Sequence, residues 1–258
     1  MKSNYIDYNL KHWSKIKDPE IALKKYLTNY QDIYNRTNIE KIIQTIPTDK
    51  KFKILDYGGG IGFLATELYK LGHEVTLADQ SDEALNTAEY FFKRENYEIK
   101  ILKADKGYFS WKEKFDIVIA KDLIEHVIED KKMFHDLFNL LNEKGKLIIT
   151  TQNSWSLNYL IEGTYQKFKK PNIKWLGWDR THLRFYTPGK LELLSDNLPV
   201  SKIDFKSSYI FPYKLFDISL KKLFGIKKTK FYLLDILLMK FKFLGRYGWN
   251  IMMTCQKK

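Results

Sequence analysis

The sequence predicts an α/β fold in which a mostly parallel sheet carries helices on both faces. Short apolar runs alternate with amphipathic stretches over about a hundred residues from Phe52 onward, the rhythm of a covered parallel sheet. The stretch "KILDYGGGIGFLATEL", Lys53 to Leu68, then sets four glycines into five positions where the first strand turns into a helix. A chain of 258 residues suits one sizeable α/β domain with extra elements, and can bury a full core without disulfides.

Residues 1–51 read as a helical, aromatic cover without glycine, with Pro47 just before the first strand. "FKILD" (Phe52–Asp56) reads as a buried strand. "GFLATELYKLG" reads as a helix with Phe63, Leu64, Leu68 and Leu71 on one face, stopped by Gly72. "EVTLAD" (Glu74–Asp79) is the second strand. Ser81 caps the next helix, with Asp82 and Glu83 in its first turn and Leu85, Ala88 and Phe92 inward. "EIKILKAD" and "FDIVIA" follow as strands. A helix opened by Asp130, carrying Met133, Leu137 and Leu140, leads to the strand "GKLIITT". Beyond Thr151 the pattern loosens into an aromatic stretch with Trp155, Tyr159, Tyr165, Trp175 and Trp178. Thr187 and Pro188 then start a short helix, with proline in the first turn where its missing N–H costs nothing. "VSKIDFKSSYIF" alternates as a strand, and "WNIMMTCQ" reads as the last one. The expected division is a cover (1–51), a ligand-binding core (52–210), a basic and apolar helical insertion (211–247) and a final core strand (248–258).

One cysteine, Cys255, excludes an internal disulfide framework and a cysteine-based metal cluster. No apolar run follows the first lysine of "MKSNYIDYNLKHW", so no secretory signal is visible and a reducing, cytoplasmic setting is expected. The net charge is +13, and the insertion holds over half of that excess: nine Lys/Arg against two Asp/Glu, a net of +7. Phe231–Leu244 is apolar on nearly every side yet too short to span a bilayer. A packed lid and an interfacial segment with its lysines outward both fit it, and the latter would place the protein at the membrane periphery. The aromatics are clustered for packing rather than spaced for stacking bases, which disfavours RNA.

A glycine-rich turn between a parallel strand and a helix lets backbone approach a ligand at the helix N-terminus. The frame nearest the strand is Asp56-x-Gly58-x-Gly60-x-Gly62; a shifted frame, Gly60-x-Gly62-x-x-Ala65, fits a dinucleotide pattern and leaves NAD open. At these residues the sequence resembles the class I S-adenosylmethionine-dependent methyltransferases, whose first motif is an acid followed by x-G-x-G-x-G. The resemblance runs from about Ile39 to Ile210 through an ordered series: Asp79 ending the second strand, Asp105 after the third, "FDIVIAKDLIEHV" and "LNEKGKLIITT". It implies a Rossmann-like, three-layer sheet of seven strands with the last one antiparallel, and S-adenosyl-L-methionine as cofactor. The implied cofactor residues are Asp56, Gly58, Gly60, Gly62, Asp79 for the ribose hydroxyls, its neighbour Gln80, Asp105 for the adenine amine, and Lys121 at the end of the fourth strand.

Absences narrow the acceptor. The Asn/Asp-Pro-Pro-aromatic turn of base-amine methylating enzymes is missing after the fourth strand, and Cys255, in the predicted last strand, is misplaced as a nucleophile on cytosine. In-line methyl transfer needs alignment, and a base when the acceptor is a hydroxyl. His182, in "WDRTHLRFYTP", and His126, after the fourth strand, are the candidates. The stretch around His182, with Asp179, Arg180, Arg184 and Tyr186, resembles the segment that small-molecule, quinone and cell-surface-glycan methyltransferases carry before their sixth strand. O-methylation of a small molecule, glycan or lipid-linked acceptor is therefore the leading expectation. Asp122, Glu125 and His126 form D-x-x-E-H and with His182 resemble the metal set of quinone-pathway and RNA 2′-O-methyltransferases. No metal ligand is assigned on this alone, and a catalytically silent, membrane- or partner-binding fold is the alternative from another class.

Overall fold

The computed structural model describes residues 16–104, 112–171, 175–177, 179, 181–225 and 230–258. Its centre is a seven-stranded sheet: β1 (Lys53–Tyr57), β2 (Glu74–Asp79), β3 (Lys100–Lys103), β4 (Phe115–Lys121), β5 (Leu141–Gln152), β6 (Val200–Ser208) and β7 (Asn250–Lys257), in spatial order 3-2-1-4-5-7-6. β1 to β5 pair in parallel, and β7 lies antiparallel between β5 and β6. The strand order reverses between β1 and β4. Open α/β sheets bind ligands at such a point, beyond the C-terminal strand ends.

Strand side chains alternate between two cores, as the two-residue period requires. Ile54, Ile117, Ile119 and Ile148 face α1 (Pro19–Tyr30), α2 (Ile33–Ile43), α3 (Phe63–Lys70) and α4 (Asp82–Glu95). Leu55, Val118, Leu147 and Ile149 face α5 (Asp130–Asn139) and the short α7 (Pro188–Glu192). Asp18 caps α1 through its carboxylate, with Pro19 at the first helical position. Ser81 and Thr187 cap α4 and α7, as their positions in the sequence foretell.

Two regions differ from the sequence expectation. β5 begins at Leu141, four residues early, because the Asn-Glu-Lys-Gly turn is absorbed as a kink: Lys144 has φ +60° and the β4 pairing shifts register between Phe115 and Ile117. The aromatic stretch after Thr151 contains α6 (Leu157–Lys169), capped by Ser156. The sequence reading passed over this helix, and its Leu160 and Phe168 point to solvent. Between β6 and β7 lie α8 (Tyr213–Phe224), α9 (Phe231–Leu238) and a 3₁₀ turn, Lys242–Arg246. No helix among the described residues is long and apolar enough to cross a membrane.

Candidate active site

The glycine turn leaves β1 beside the end of β2. Gly58 (φ +72°) donates its N–H to the Ala78 carbonyl at 2.7 Å, and Gly60 (φ +58°) donates to Asp79 Oδ2 at 2.9 Å. Both sit in the left-handed region that favours glycine. A Cβ at Gly59 would overlap the Asp56 carboxylate and Leu77. Asp79 Oδ1 also accepts the Ser81 N–H at 2.9 Å, so this buried carboxylate bridges the glycine turn to the start of α4. Burial pushes its pKa up against the Ser81, Gly60 and Gln80 amides. Gln80 follows, half-buried. Gly62 caps α3 (φ +77°) with Phe92 and Leu77 against it, so its bare Cα serves helix packing.

Asp56 is 1% exposed, and neither oxygen has a hydrogen-bond partner of normal geometry. Burial raises its carboxyl to about 7; Lys121 opposes that rise, and Asp79 adds to it. A small cavity opens beside it, bordered by Tyr30, Asp56, Gly58, Gly60, Leu64 and Lys121. Tyr30, stacked on Phe63 with ring centroids 4.3 Å apart, closes one side. Sequence reasoning missed it, and its only signal was an aromatic residue in the helical cover. Asp105 lies outside the described residues, as do Trp178 and Arg180.

Lys121 leads into a polar network under this cavity. Its Nζ meets Asp122 Oδ2 at 2.7 Å, while Asp122 Oδ1 accepts Thr150 Oγ1 at 2.9 Å and Asn250 Nδ2 at 2.8 Å. These bonds outweigh desolvation and hold Asp122 down at about 2, and they fix its backbone at φ +49°. For Lys121 burial works against the charge, but Asp122, Tyr30 and Asp56 more than offset it and raise its pKa. From α2, the buried Lys41 Nζ reaches Ser208 Oγ at 3.0 Å and Asn250 Oδ1 at 3.2 Å, with its pKa lowered to about 7 by burial. The sequence gives no sign that Lys41 and Asn250, more than two hundred positions apart, meet here.

Beyond β4 the 3₁₀ turn Ile124–His126 follows, and the 181–186 segment lies against it. Leu183 N–H donates to the Glu125 carbonyl at 2.8 Å. Arg184 pairs with Asp130, and Tyr186 donates to the same carboxylate at 2.7 Å. These two residues staple the segment in place, which brings the His126 and His182 rings to 4.8 Å between centroids. His182 Nδ1 lies 2.9 Å from the Leu176 carbonyl; since a carbonyl only accepts, Nδ1 carries the proton and Nε2 the lone pair. The Thr181 hydroxyl donates to Asp179, so it accepts at 3.1 Å from His126 Nδ1–H. Burial, then His182, lowers the His126 pKa to about 4, keeping that ring neutral.

Glu125 is fully buried; its Oε2 accepts Thr151 Oγ1 at 2.9 Å and its Oε1 has no partner. Burial and then Asp122 raise its carboxyl to about 8. Donor atoms of Glu125, His126 and His182 lie within 4.8 Å of one another. The D-x-x-E-H motif therefore splits: its last two residues meet His182, while Asp122 turns into the Lys121 network. Cys255 is buried in β7, its thiol pushed up to about 12 by burial.

A small cavity at the switch point, with acids at the ends of β1 and β2, lies in a sheet of the Rossmann-like type. The chain belongs to the methyltransferase-domain family, which matches residues 29–197, and it is an S-adenosylmethionine-dependent enzyme. Among similar curated proteins, ubiquinone biosynthesis O-methyltransferase of Pelagibacter ubique is 27% identical over 193 residues, 70% of this chain and 78% of that protein. The mitochondrial ubiquinone biosynthesis O-methyltransferase of Bos taurus is 29% identical over 180 residues, 65% of this chain; the match spans only 48% of the bovine protein. Among solved structures, Haemonchus contortus phosphoethanolamine N-methyltransferase 2 in complex with S-adenosyl-L-methionine aligns with a TM-score of 0.63 at 15% identity. It covers 98% of this chain and 60% of that one. At that identity the likeness shows the fold alone. The shared fold includes the antiparallel last strand that the sequence led us to expect.

Proposed function

We propose that this enzyme methylates a hydroxyl oxygen of a small acceptor, a lipid-linked phenol ahead of a glycan, with His182 as the base. The observation that carries this reading is the Leu176 carbonyl on His182 Nδ1, which fixes the tautomer with Nε2 as proton acceptor. The named activity of the curated relatives, ubiquinone biosynthesis O-methylation, supports the phenolic acceptor. We assign residues 1–51 as cover, 52–210 and 248–258 as core, and 211–247 as an acceptor-side insertion, in a cytoplasmic protein at the membrane periphery.

The residues present fit S-adenosylmethionine. Asp79 has lone pairs left for ribose hydroxyls, and the orphaned Asp56 oxygens, beside backbone bared by Gly58 and Gly60, suit the methionyl ammonium. Gln80, Lys121 and Asp105 complete the assigned cofactor set, and Gly62 acts through helix packing. The bound cofactor supplies an electrophilic methyl on a sulfonium. His182 Nε2 would take the proton that the acceptor hydroxyl gives up on methylation. His126, neutral and hydrogen-bonded to Thr181, holds the neighbouring ring in place.

A second reading replaces the His182 base with a divalent metal that would be held by the unpartnered Oε1 of Glu125, His126 and His182 Nε2. It would lower the pKa of an acceptor hydroxyl. One assay tests both readings: methyl-labelled cofactor with a prenylated catechol, with and without chelator. Label in an aryl ether at unchanged rate under chelator supports the histidine alone. Loss under chelator, restored by Mg²⁺ or Zn²⁺, supports the metal. Label in no ether sinks O-methylation.

Asp56 makes ligand binding proton-linked. Its folded pKa, about 7, stands above the ordinary 3.8, so the folded apo state holds more protons across that window. The contribution to stability is complete below pH 4 and is lost as pH rises through about 7. A ligand ammonium favours the carboxylate, so S-adenosylhomocysteine binding at pH 6 should release protons. Calorimetry in buffers of different ionisation enthalpy measures this, and proton uptake or no linkage removes Asp56 from the amine site.

A further inference from the structure

We propose that the helices between β6 and β7 dock the enzyme onto an anionic phospholipid surface. α9 is turned inside out. Its only charged side chain, Asp235, is 2% exposed, and its carboxylate accepts the backbone N–H groups of Tyr209, Ile210 and Phe211 at 3.0, 2.6 and 3.0 Å. Leu233 and Leu237 of the same helix are 48% and 50% exposed. The carboxylate cap fixes which face points inward, so the leucines cannot turn away from solvent without orphaning three amides. At the end of α8, Leu223 and Phe224 are each 71% exposed, as is Phe243 beyond α9. Apolar exposure on this scale within one short segment marks a surface built to be covered.

Charge complementarity names the cover. Lys214 and Arg246 are engaged by Asp32 and Glu192, whereas Lys221, Lys222, Lys230, Lys240 and Lys242 are exposed around the apolar residues. Asp235 is buried, leaving Asp217 as the only other acid in the segment. Lysines rimming apolar side chains suit the headgroup boundary of an anionic bilayer. A second copy of the same face would bring one net +7 segment against another. Phe211, Phe216 and Phe231 pack on one another at 4.9 to 6.0 Å and are spent on holding α8 to α9, not displayed for base stacking.

Topology places this face on the functional edge. Ser208 at the end of β6 pairs with Asn250, which pairs with Gln152 at the end of β5, so the segment leaves and rejoins the sheet at the edge that holds Asp56 and His182. A buried aromatic layer, Phe185, Tyr209, Tyr213 and Trp249, lies between, with His182 against Phe185 at 6.4 Å between centroids. Delivery of a lipid-linked acceptor along this layer rests on the proposed function; the docking itself does not.

The test is sedimentation of the full chain with vesicles of phosphatidylcholine, with and without phosphatidylglycerol. Binding should be at least tenfold stronger to the anionic vesicles and weaken as salt rises. The exposed-site variants L223E/F224E and K221E/K222E should each lose at least tenfold, while S-adenosylhomocysteine titration of both stays unchanged, which reports an intact fold. No sedimentation of the wild type, indifference to lipid charge, or equal binding by the variants overturns the proposal. So does a solution dimer that L223E/F224E breaks, or a preference for RNA over vesicles. Failure to bind S-adenosylhomocysteine would instead strike at the cofactor assignment and leave a positive vesicle result standing.

Discussion

Asp79→Ala should reduce S-adenosylhomocysteine affinity by at least a hundredfold while the chain remains folded. Two losses combine. The carboxylate can no longer take ribose hydroxyls, at about 1.5–3 kcal/mol per charge-assisted bond. The Gly60 and Ser81 amides also lose their acceptor, so the turn that bares the backbone is no longer held. Asp79→Asn separates the two: its single carbonyl oxygen can keep one amide, so it should lose less than alanine does. Calorimetric titration with circular dichroism as the folding check measures both variants. An alanine variant within about threefold of wild type would remove Asp79 from the cofactor site, since even one such bond is worth about tenfold.

His182→Gln should lower kcat by about 10² to 10⁴, the usual worth of a positioned base, and leave S-adenosylhomocysteine affinity unchanged. Glutamine can still donate toward the Leu176 carbonyl, so the 176–182 loop keeps its anchor while the proton acceptor is lost. His126→Gln, which removes a neighbour 4.8 Å away, should cost less in kcat than His182→Gln. If His182→Gln raised KM alone with kcat intact, the histidine would be a binding group, and the base would have to be sought elsewhere.

Much of the sheet was legible from local signals. The alternation of buried runs, the Ser81 and Thr187 caps and the glycine turn each depend on neighbours within a few residues, and each stands where the pattern put it. What escaped was non-local. β5 starts early because pairing with β4 overrides the Asn-Glu-Lys-Gly turn, and α6 carries part of its apolar surface, Leu160 and Phe168, outward. At the site, Asp56, Gly58, Gly60 and Asp79 come together as their positions at strand ends imply. Asp122 could not be separated from Glu125 and His126 by spacing. Its direction is set by Thr150 and Asn250, which sequence separation hides. Tyr30 and Lys41 are invisible for the same reason: each reaches the site from a helix outside the motif-bearing segments.

The position of β7 bears on how the protein is made. This strand is wedged between β5 and β6, and its first residue, Asn250, supplies one of the bonds that orient Asp122. A nascent chain emerging from the ribosome can pair β1 to β5 in turn, yet β6 has no partner until β7 arrives. For the time needed to add about a hundred residues, from the end of β5 to β7, at about 5–20 residues per second, the apolar edge of β5 stays open. The inverted helix is exposed over part of that interval. Chaperone capture, or contact with a membrane during synthesis, would find its substrate then.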